Sequence, residues 1–135
     1  MHESDRTTAL YTADQVRGID RHAIENLHIP GFELMQRAAD AAFALLRERW
    51  PFARHIVVLA GGGNNGGDAF LLGTLALKAG FTVDAFALAG KPGADALRAR
   101  LNFVAAGGRA VDADERTEIP AADVCIDGLF GTGLE

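Results

Sequence analysis

One stretch, His55 to Gly67, constrains the fold of this chain more than any other. It reads HIVVLAGGGNNGG, an apolar run that breaks into glycines and an asparagine pair, and Asp68 follows. This order predicts a buried strand, a tight loop and then a helix. We expect the helix to run from Ala69 to Ala79 and the loop to include Asn64 to Asp68. Because glycine has no Cβ and the first N–H groups of a helix lack helical partners, such a turn can hold an anion.

A glycine-rich turn has a simpler explanation as well, since it also lets a helix pack closely against its strand. The asparagine pair favours a ligand, because the side-chain carbonyls of Asn64 or Asn65 could accept a hydrogen bond or coordinate a hard cation. The stretch does not match the Walker phosphate-binding loop, since Asp68 stands where that loop requires a lysine.

Composition excludes several classes of function. The net charge of −5 argues against a general nucleic-acid binder, and no apolar run approaches the ~20 residues of a membrane helix. The only serine is Ser4 and the four histidines have no paired spacing, which argues against a serine triad and a transition-metal site. The single cysteine, Cys125, permits no disulfide within the chain, so we expect a reducing compartment, the cytoplasm.

Two helices are predicted before the glycine-rich stretch. The first runs from Tyr11 to Leu27, with apolar residues at helical spacing and a capping box formed by Thr12 and Gln15. The second has about twenty residues and ends at Trp50 and Pro51.

Strands and helices are then predicted to alternate, which is typical of a parallel sheet. Asp84 lies in the middle of the second strand rather than at its tip, so we expect a structural or edge role for it instead of a contact with a ribose. A polar segment from Asp112 to Ala122, with one helical turn, precedes the last strand. The predicted elements are strands at Phe81 to Leu88, Arg109 to Val111 and Val124 to Ile126, and a helix at Ala94 to Ala106.

A second informative stretch is Asp123 to Glu135, which reads DVCIDGLFGTGLE. Asp127 stands where the fourth strand ends, and a second glycine-rich loop follows it. Since ligands of open parallel sheets bind at the carboxyl ends of the strands, Asn64 to Asp68 and Asp127 should converge on one edge of the sheet. The alternative is that Asp127 caps a following helix.

These elements predict a Rossmann-like, three-layer α/β/α fold with a mostly parallel sheet and two N-terminal helices, in a single domain over residues 1–135. The fourth strand has no helix after it, although parallel sheets are normally covered on both faces. We therefore expect either the front part of a longer domain, truncated at its C-terminal end, or a homodimer in which another copy covers the open face.

Three segments resemble the YjeF N-terminal domain family, the NAD(P)H-hydrate epimerases. They are GGGNNGGDAF, the later DGLFGTGL, and the preceding YTADQVRGIDRHAIENLHIPGFELMQRAADAAF. The resemblance runs from about Tyr11 to Leu134. It implies a Rossmann-like enzyme that interconverts the R and S forms of hydrated NADH and NADPH, called NADHX and NADPHX. It also implies an ADP- or ATP-dependent NAD(P)H-hydrate dehydratase as functional partner.

The resemblance also implies roles for individual residues. A potassium ion would be held by Asn65 and Asp127. The loop after that aspartate would close on the ligand through its last three residues. The implied ligand contacts are Asn64, Asn65, Gly66, Gly67, Asp68, Gly131, Thr132 and Gly133.

The chain departs from the family pattern at two points. Ala69 stands where the family usually has glycine, at a position that already enters the helix. The family's later V-D-I-P-S-G segment, which supplies a further ligand contact and a potassium ligand, is absent from these residues, as is a dehydratase domain. We therefore expect the site to be incomplete.

Epimerising a hydrated carbon requires an acid/base group beside a positioned nicotinamide, and not a nucleophile or a redox metal. Asp127 is the first candidate for this catalytic group and Asp68 the second. A non-catalytic binding or scaffold module is the competing hypothesis, which Asn65 and Asp127 argue against because a scaffold does not need them. An ordinary NAD-dependent oxidoreductase is disfavoured, since the second strand lacks a terminal acid.

Overall fold

The computed structural model describes residues 9–131, which form two compact units, one up to Pro30 and one from Gly31. The first unit contains α1 (Ala13–Glu25). The predicted capping box is confirmed, because the Thr12 hydroxyl accepts the Gln15 N–H and the Gln15 side chain accepts the Thr12 N–H. The helix is two residues shorter at each end than predicted.

The second unit is an α/β fold built on a four-stranded sheet in which all described pairings are parallel. The strand order is β3-β2-β1-β4, so the chain moves outward from β1 in one direction and then returns to the other side of it. The elements are α2 (Gly31–Arg49), β1 (His55–Ala60), α3 (Asn64–Lys78), β2 (Thr82–Leu88), α4 (Ala94–Ala105), β3 (Arg109–Ala113) and β4 (Val124–Gly128).

The core lies between one face of the sheet and the helices. Alternate side chains of β1, including Ile56 and Val58, are fully buried there, and α3 packs over them. Phe103 of α4 is also fully buried, and it and Val58 both approach Gly73 closely. Because right-handed crossovers in one direction place their helices on one face, α3 and α4 lie side by side. Residues 31–131 thus supply the sheet and one helical layer.

The opposite face of the sheet carries side chains of mixed character. Leu59, Phe86 and Val111 lie in one row across three strands and are half-buried, and Cys125 of β4 is exposed. On the same face His55 Nε2 lies 2.6 Å from the Asp84 carboxylate. The expected structural role of Asp84 is therefore this contact, and an edge position is wrong because β2 pairs on both sides.

The prediction for the start of α3 is wrong. The helix begins at Asn64 rather than Ala69, so the loop is only Gly61 to Gly63 and the NNGGD segment forms the first helical turns. Glycine is a poor helix former, but Gly66 packs so closely against the Gly61 carbonyl that it admits no Cβ, and a Cβ on Gly67 would be crowded by Met35. Tertiary contacts therefore override the local preference.

Other boundaries differ less. β3 extends to Ala113, and a side-chain-stabilised turn follows at Asp114 instead of the predicted helical turn. None of the helices in the described part of the chain is long and apolar enough to cross a membrane.

Candidate functional site

The candidate site lies at the carboxyl ends of β1 and β4, where the strand order reverses. In open parallel sheets the connections from two such strands leave in opposite directions and open a crevice between them. The Gly61 N–H donates to the Gly128 carbonyl over 2.9 Å, which continues the pairing of the two strands into the loops. The start of the glycine-rich turn therefore lies next to the last residue of β4.

Close packing explains why this corner is built from glycines. A Cβ on Gly61 would lie 2.1 Å from the Leu129 carbonyl oxygen, and one on Gly66 would lie 2.0 Å from the Gly61 carbonyl oxygen. A Cβ on Gly128 would lie 2.6 Å from both the Asn65 carbonyl oxygen and the Ala69 Cβ. The close-packing interpretation drawn from the sequence is thus confirmed, whereas binding of a ligand by this turn stays a prediction.

A cavity of about 210 Å³ opens between α2, α3 and the end of β4. Its lining includes Asn65, Asp68 and Asp127, but not Asn64, Gly66 or Gly67, which the sequence also placed at this edge. The rest of the wall is small or apolar. It consists of Ala38, Ala39 and Ala42 of α2, Ala69 and Leu72 of α3, and Ile126 and Gly128 of β4.

Asn65 connects the two loops directly. Its side-chain Nδ2 donates to the Phe130 carbonyl over 2.6 Å, which ties the first turn of α3 to the loop after β4. Because that carbonyl can only accept, the NH2 end of the amide faces it and the Oδ1 end remains as an acceptor.

Asp127 is the penultimate residue of β4, and its carboxylate is exposed. Its Oδ1 accepts the Leu129 N–H over 3.1 Å, which makes a local turn rather than the cap of a helix. Strand alternation puts Asp127 in the row of Leu59, on the face turned away from α3. The charge of Asp127 also affects the thiol of Cys125, two residues earlier in β4. Burial raises the pKa of Cys125, and the Asp127 carboxylate raises it further.

The remaining predicted site residues differ in their exposure and in their distance from the cavity. Asn64 is exposed, Asp68 is half-buried in the cavity wall, and Gly66 and Gly67 are buried within the first turns of α3. Gly67 packs against Met35 and the main chain at Ala96, so its role in the described structure is packing. Gly131 lies beside the Asn65 amide, whereas Thr132 and Gly133 lie outside the described residues.

No group of three histidine, cysteine, aspartate or glutamate residues within residues 9–131 could hold a metal ion. A hard, weakly bound cation would need other oxygen donors. Asn65 Oδ1 and the Asp127 carboxylate are of that kind.

Two connections in the structure were not predicted from the sequence. Asp123 Oδ2 accepts the main-chain N–H groups of Arg54 and His55 over 2.8 and 2.9 Å, which anchors β4 beside β1. These hydrogen bonds, that of Arg54 foremost, lower the pKa of Asp123 below its usual 3.8. The Phe130 carbonyl was missed as well. Neither contact could be predicted from a local sequence pattern, because the partners are more than sixty residues apart.

A larger groove of about 630 Å³ lies over α3, between α2 and α4. Its wall includes Leu71, Thr74 and Lys78 and none of the residues that the sequence predicted for the site. Volume alone therefore does not identify the candidate site. The candidate site is instead identified by the polar side chains near the ends of β1 and β4.

The chain is similar in sequence to proteins of known name. The chain is 42% identical over 123 residues to the NAD(P)H-hydrate epimerase of Bordetella pertussis, and the match covers 90% of this chain and 51% of that protein. It is 39% identical over 127 residues to the bifunctional NAD(P)H-hydrate repair enzyme Nnr of Escherichia coli, covering 93% of this chain and 24% of that protein. The chain thus spans about half the length of the first relative and a quarter of the second.

The fold also has a solved counterpart. The crystal structure of the yeast protein ynu0 superposes with a TM-score of 0.82 over 95% of this chain and 59% of that one, at 16% identity. At this identity the likeness supports the Rossmann-like fold alone. The family model described as YjeF-related protein N-terminus matches residues 31–135, and the chain belongs to that family.

Proposed function

We propose that this chain carries an NAD(P)H-hydrate epimerase site, which interconverts the R and S forms of NADHX and NADPHX. One observation carries the proposal. Asn65 and Asp68 of α3 and Asp127 of β4 line one cavity at the switch point of a parallel sheet, with the Asp127 carboxylate on the sheet face turned away from α3. The names of the relatives in B. pertussis and E. coli support the substrate class.

The reaction requires proton transfer at the hydrated carbon of the nicotinamide ring. An acid donates a proton to the hydroxyl group, the C–O bond breaks and water leaves. Water then adds from the opposite face and returns a proton to the same base, so atoms and charge balance over the cycle. Asp127 is the proposed acid/base, because its carboxylate is exposed at the strand end and its local turn leaves one oxygen for a ligand. Asp68, in the wall of the cavity, is the second candidate.

A potassium ion is the proposed cofactor, and the donor chemistry fits it. Asn65 offers an amide oxygen once its NH2 group is engaged by the Phe130 carbonyl, and Asp127 offers a carboxylate. When bound, the ion would neutralise charge on the ligand and on Asp127. Asn64, Gly66, Gly67, Gly131, Thr132 and Gly133 are proposed as further contacts of the dinucleotide.

The proposal extends to partners and compartment. An ADP- or ATP-dependent dehydratase that accepts only the S form would consume the product, and the bifunctional name of the E. coli relative supports such a coupling. We also propose that the protein forms a homodimer and that it acts in a reducing compartment, the cytoplasm. The half-exposed apolar row on the open sheet face supports a covering partner, and the free thiol of Cys125 suits a reducing compartment.

An epimerase assay tests the function. Mixed R and S NADHX is treated with excess S-specific dehydratase until only the R form remains. This protein is then added with potassium or with sodium, and the recovery of NADH is followed by absorbance. We expect recovery above the spontaneous rate, and faster recovery with potassium.

Absence of recovery would refute the enzymatic proposal for this chain. A separate binding measurement would then decide between the alternatives. Binding of NADHX without turnover would favour the non-catalytic module, whereas binding of NADH with no preference for its hydrates would favour the oxidoreductase.

A further inference from the structure

The first turn of α3 and the loop after β4 are joined through one side chain. We infer that Asn65 is a positioning residue, which holds the loop from Leu129 to Gly131 beside the cavity through its NH2 group. The inference rests on the proposed function for its catalytic consequence, but its structural part stands independently. Its central observation is the 2.6 Å hydrogen bond from Asn65 Nδ2 to the Phe130 carbonyl.

The loop packs around Asn65 at two further points. A Cβ on Gly131 would lie 3.2 Å from Asn65 Nδ2 and 3.5 Å from its Cγ, so the main chain at Gly131 lies against the amide group. At the other end of the loop, a Cβ on Gly128 would lie 2.6 Å from the Asn65 main-chain oxygen. Asn65 therefore touches the loop near its beginning and near its end, and the hydrogen bond lies between these contacts.

Asp127 makes a second side-chain hydrogen bond to this loop. Asp127 Oδ1 accepts the Leu129 N–H, which fixes the start of the loop but not Phe130 or Gly131. Loss of the Asn65 hydrogen bond should therefore release the far end of the loop and leave β4 paired. Without this hydrogen bond the side-chain amide of Asn65 could also rotate, so its Oδ1 would no longer have a fixed orientation.

This arrangement predicts a particular kinetic signature. Asn65 does not exchange a proton with the reacting carbon, so its loss should weaken substrate and potassium binding more than it slows the chemical step. A general loss of structure would instead lower the amount of active protein, and so lower the apparent kcat at unchanged KM.

The test uses Asn65→Asp. The aspartate side chain has the same size and two acceptor oxygens, but at neutral pH it cannot donate a hydrogen bond to the Phe130 carbonyl. Hydrogen exchange of the amides in residues 128–131 is followed by mass spectrometry. We expect exchange there to be up to about tenfold faster, because loss of the hydrogen bond to the Phe130 carbonyl lets the loop open more often. Exchange in β1 should be unchanged. Asn102→Asp, the same substitution at an exposed position of α4, is the matched control and should change neither segment.

A second variant approaches the contact from the other side. Gly131→Ala adds a Cβ that presses on the Asn65 amide without altering Asn65 itself, and the φ of Gly131 lies outside the left-handed region. It should also speed exchange in residues 128–131, by a smaller factor. Unchanged exchange in both variants would overturn the inference, whatever happens to activity.

The kinetic arm separates this inference from the proposed function. In Asn65→Asp the KM for NADHX should rise about tenfold and kcat should change by less than about threefold. A fall in kcat at unchanged KM would overturn the positioning role. A wild-type chain without epimerase activity would count against the proposed function alone, and hydrogen exchange would then decide the question of the loop.

Discussion

The carbonyl oxygen of Gly61 lies so close to Gly66 that a Cβ on Gly66 would be 2.0 Å from it. This contact brings the first turn of α3 directly onto the end of β1. Through Gly61 it also brings the Leu129 carbonyl, and with it the whole second loop, into the same corner.

Substitution of Gly66 tests this packing. Gly66→Ala forces α3 away from β1, and we expect it to lower the free energy of unfolding by about 1–3 kcal/mol, the usual cost of overpacking. Gly63→Ala is the control, because a Cβ there meets nothing within 4 Å and Gly63 has an extended conformation. Urea unfolding measures both variants. Equal stabilities of the two would contradict the described contact.

Asp127→Asn tests the proposed acid/base. The amide keeps an oxygen for the Leu129 N–H but cannot exchange a proton, so epimerase kcat should fall about 10²- to 10⁴-fold with little change in stability. Asp20→Asn on α1 should leave turnover unchanged. Turnover at the wild-type rate in Asp127→Asn would remove this carboxylate from the mechanism and leave Asp68 as the candidate.

Cys125 reports the charge of Asp127 without any substrate. Burial and that carboxylate raise the pKa of the thiol above its usual 9.0, so less thiolate is present at a given pH. Asp127→Asn should therefore speed alkylation of Cys125 by iodoacetamide at pH 8. Asp20→Asn serves again as the control for a change of net charge. Equal alkylation rates in wild type and Asp127→Asn would place the two side chains too far apart to interact.

Asp123 should make stability depend on pH. Its folded pKa is depressed by the N–H groups of Arg54 and His55, so its contribution is present above the unfolded value of about 3.8 and is lost as pH falls through the lower folded value. The urea midpoint of wild type should fall between pH 5 and pH 3.

Asp123→Ala should lower the midpoint at pH 5 and reduce this fall, since the variant has no such carboxylate to protonate. Glu118→Ala, at an exposed position, should preserve the wild-type pH dependence. A fall in Asp123→Ala as steep as in wild type would show that these two hydrogen bonds do not contribute.

Sequence alone determined much of this protein, because several signals are local. The apolar run of β1, the capping box at Thr12 and the alternation of strands and helices each predict their element from neighbouring residues, and each is confirmed. The expectation that Asn64 to Asp68 and Asp127 lie at one edge of the sheet followed from one general rule about strand ends, and three of these residues line one cavity there. The family followed from the NNGGD and GTG segments, and the family model confirms it.

Tertiary structure alone decided where α3 begins and how the two loops meet. Glycine has a weak helix preference, so no local rule places Gly66 and Gly67 inside a helix; packing against Gly61 and Met35 does. The hydrogen bonds of Asn65 to Phe130 and of Asp123 to Arg54 span more than sixty residues. Such contacts depend on the register of β4 beside β1, which forms only when the sheet assembles.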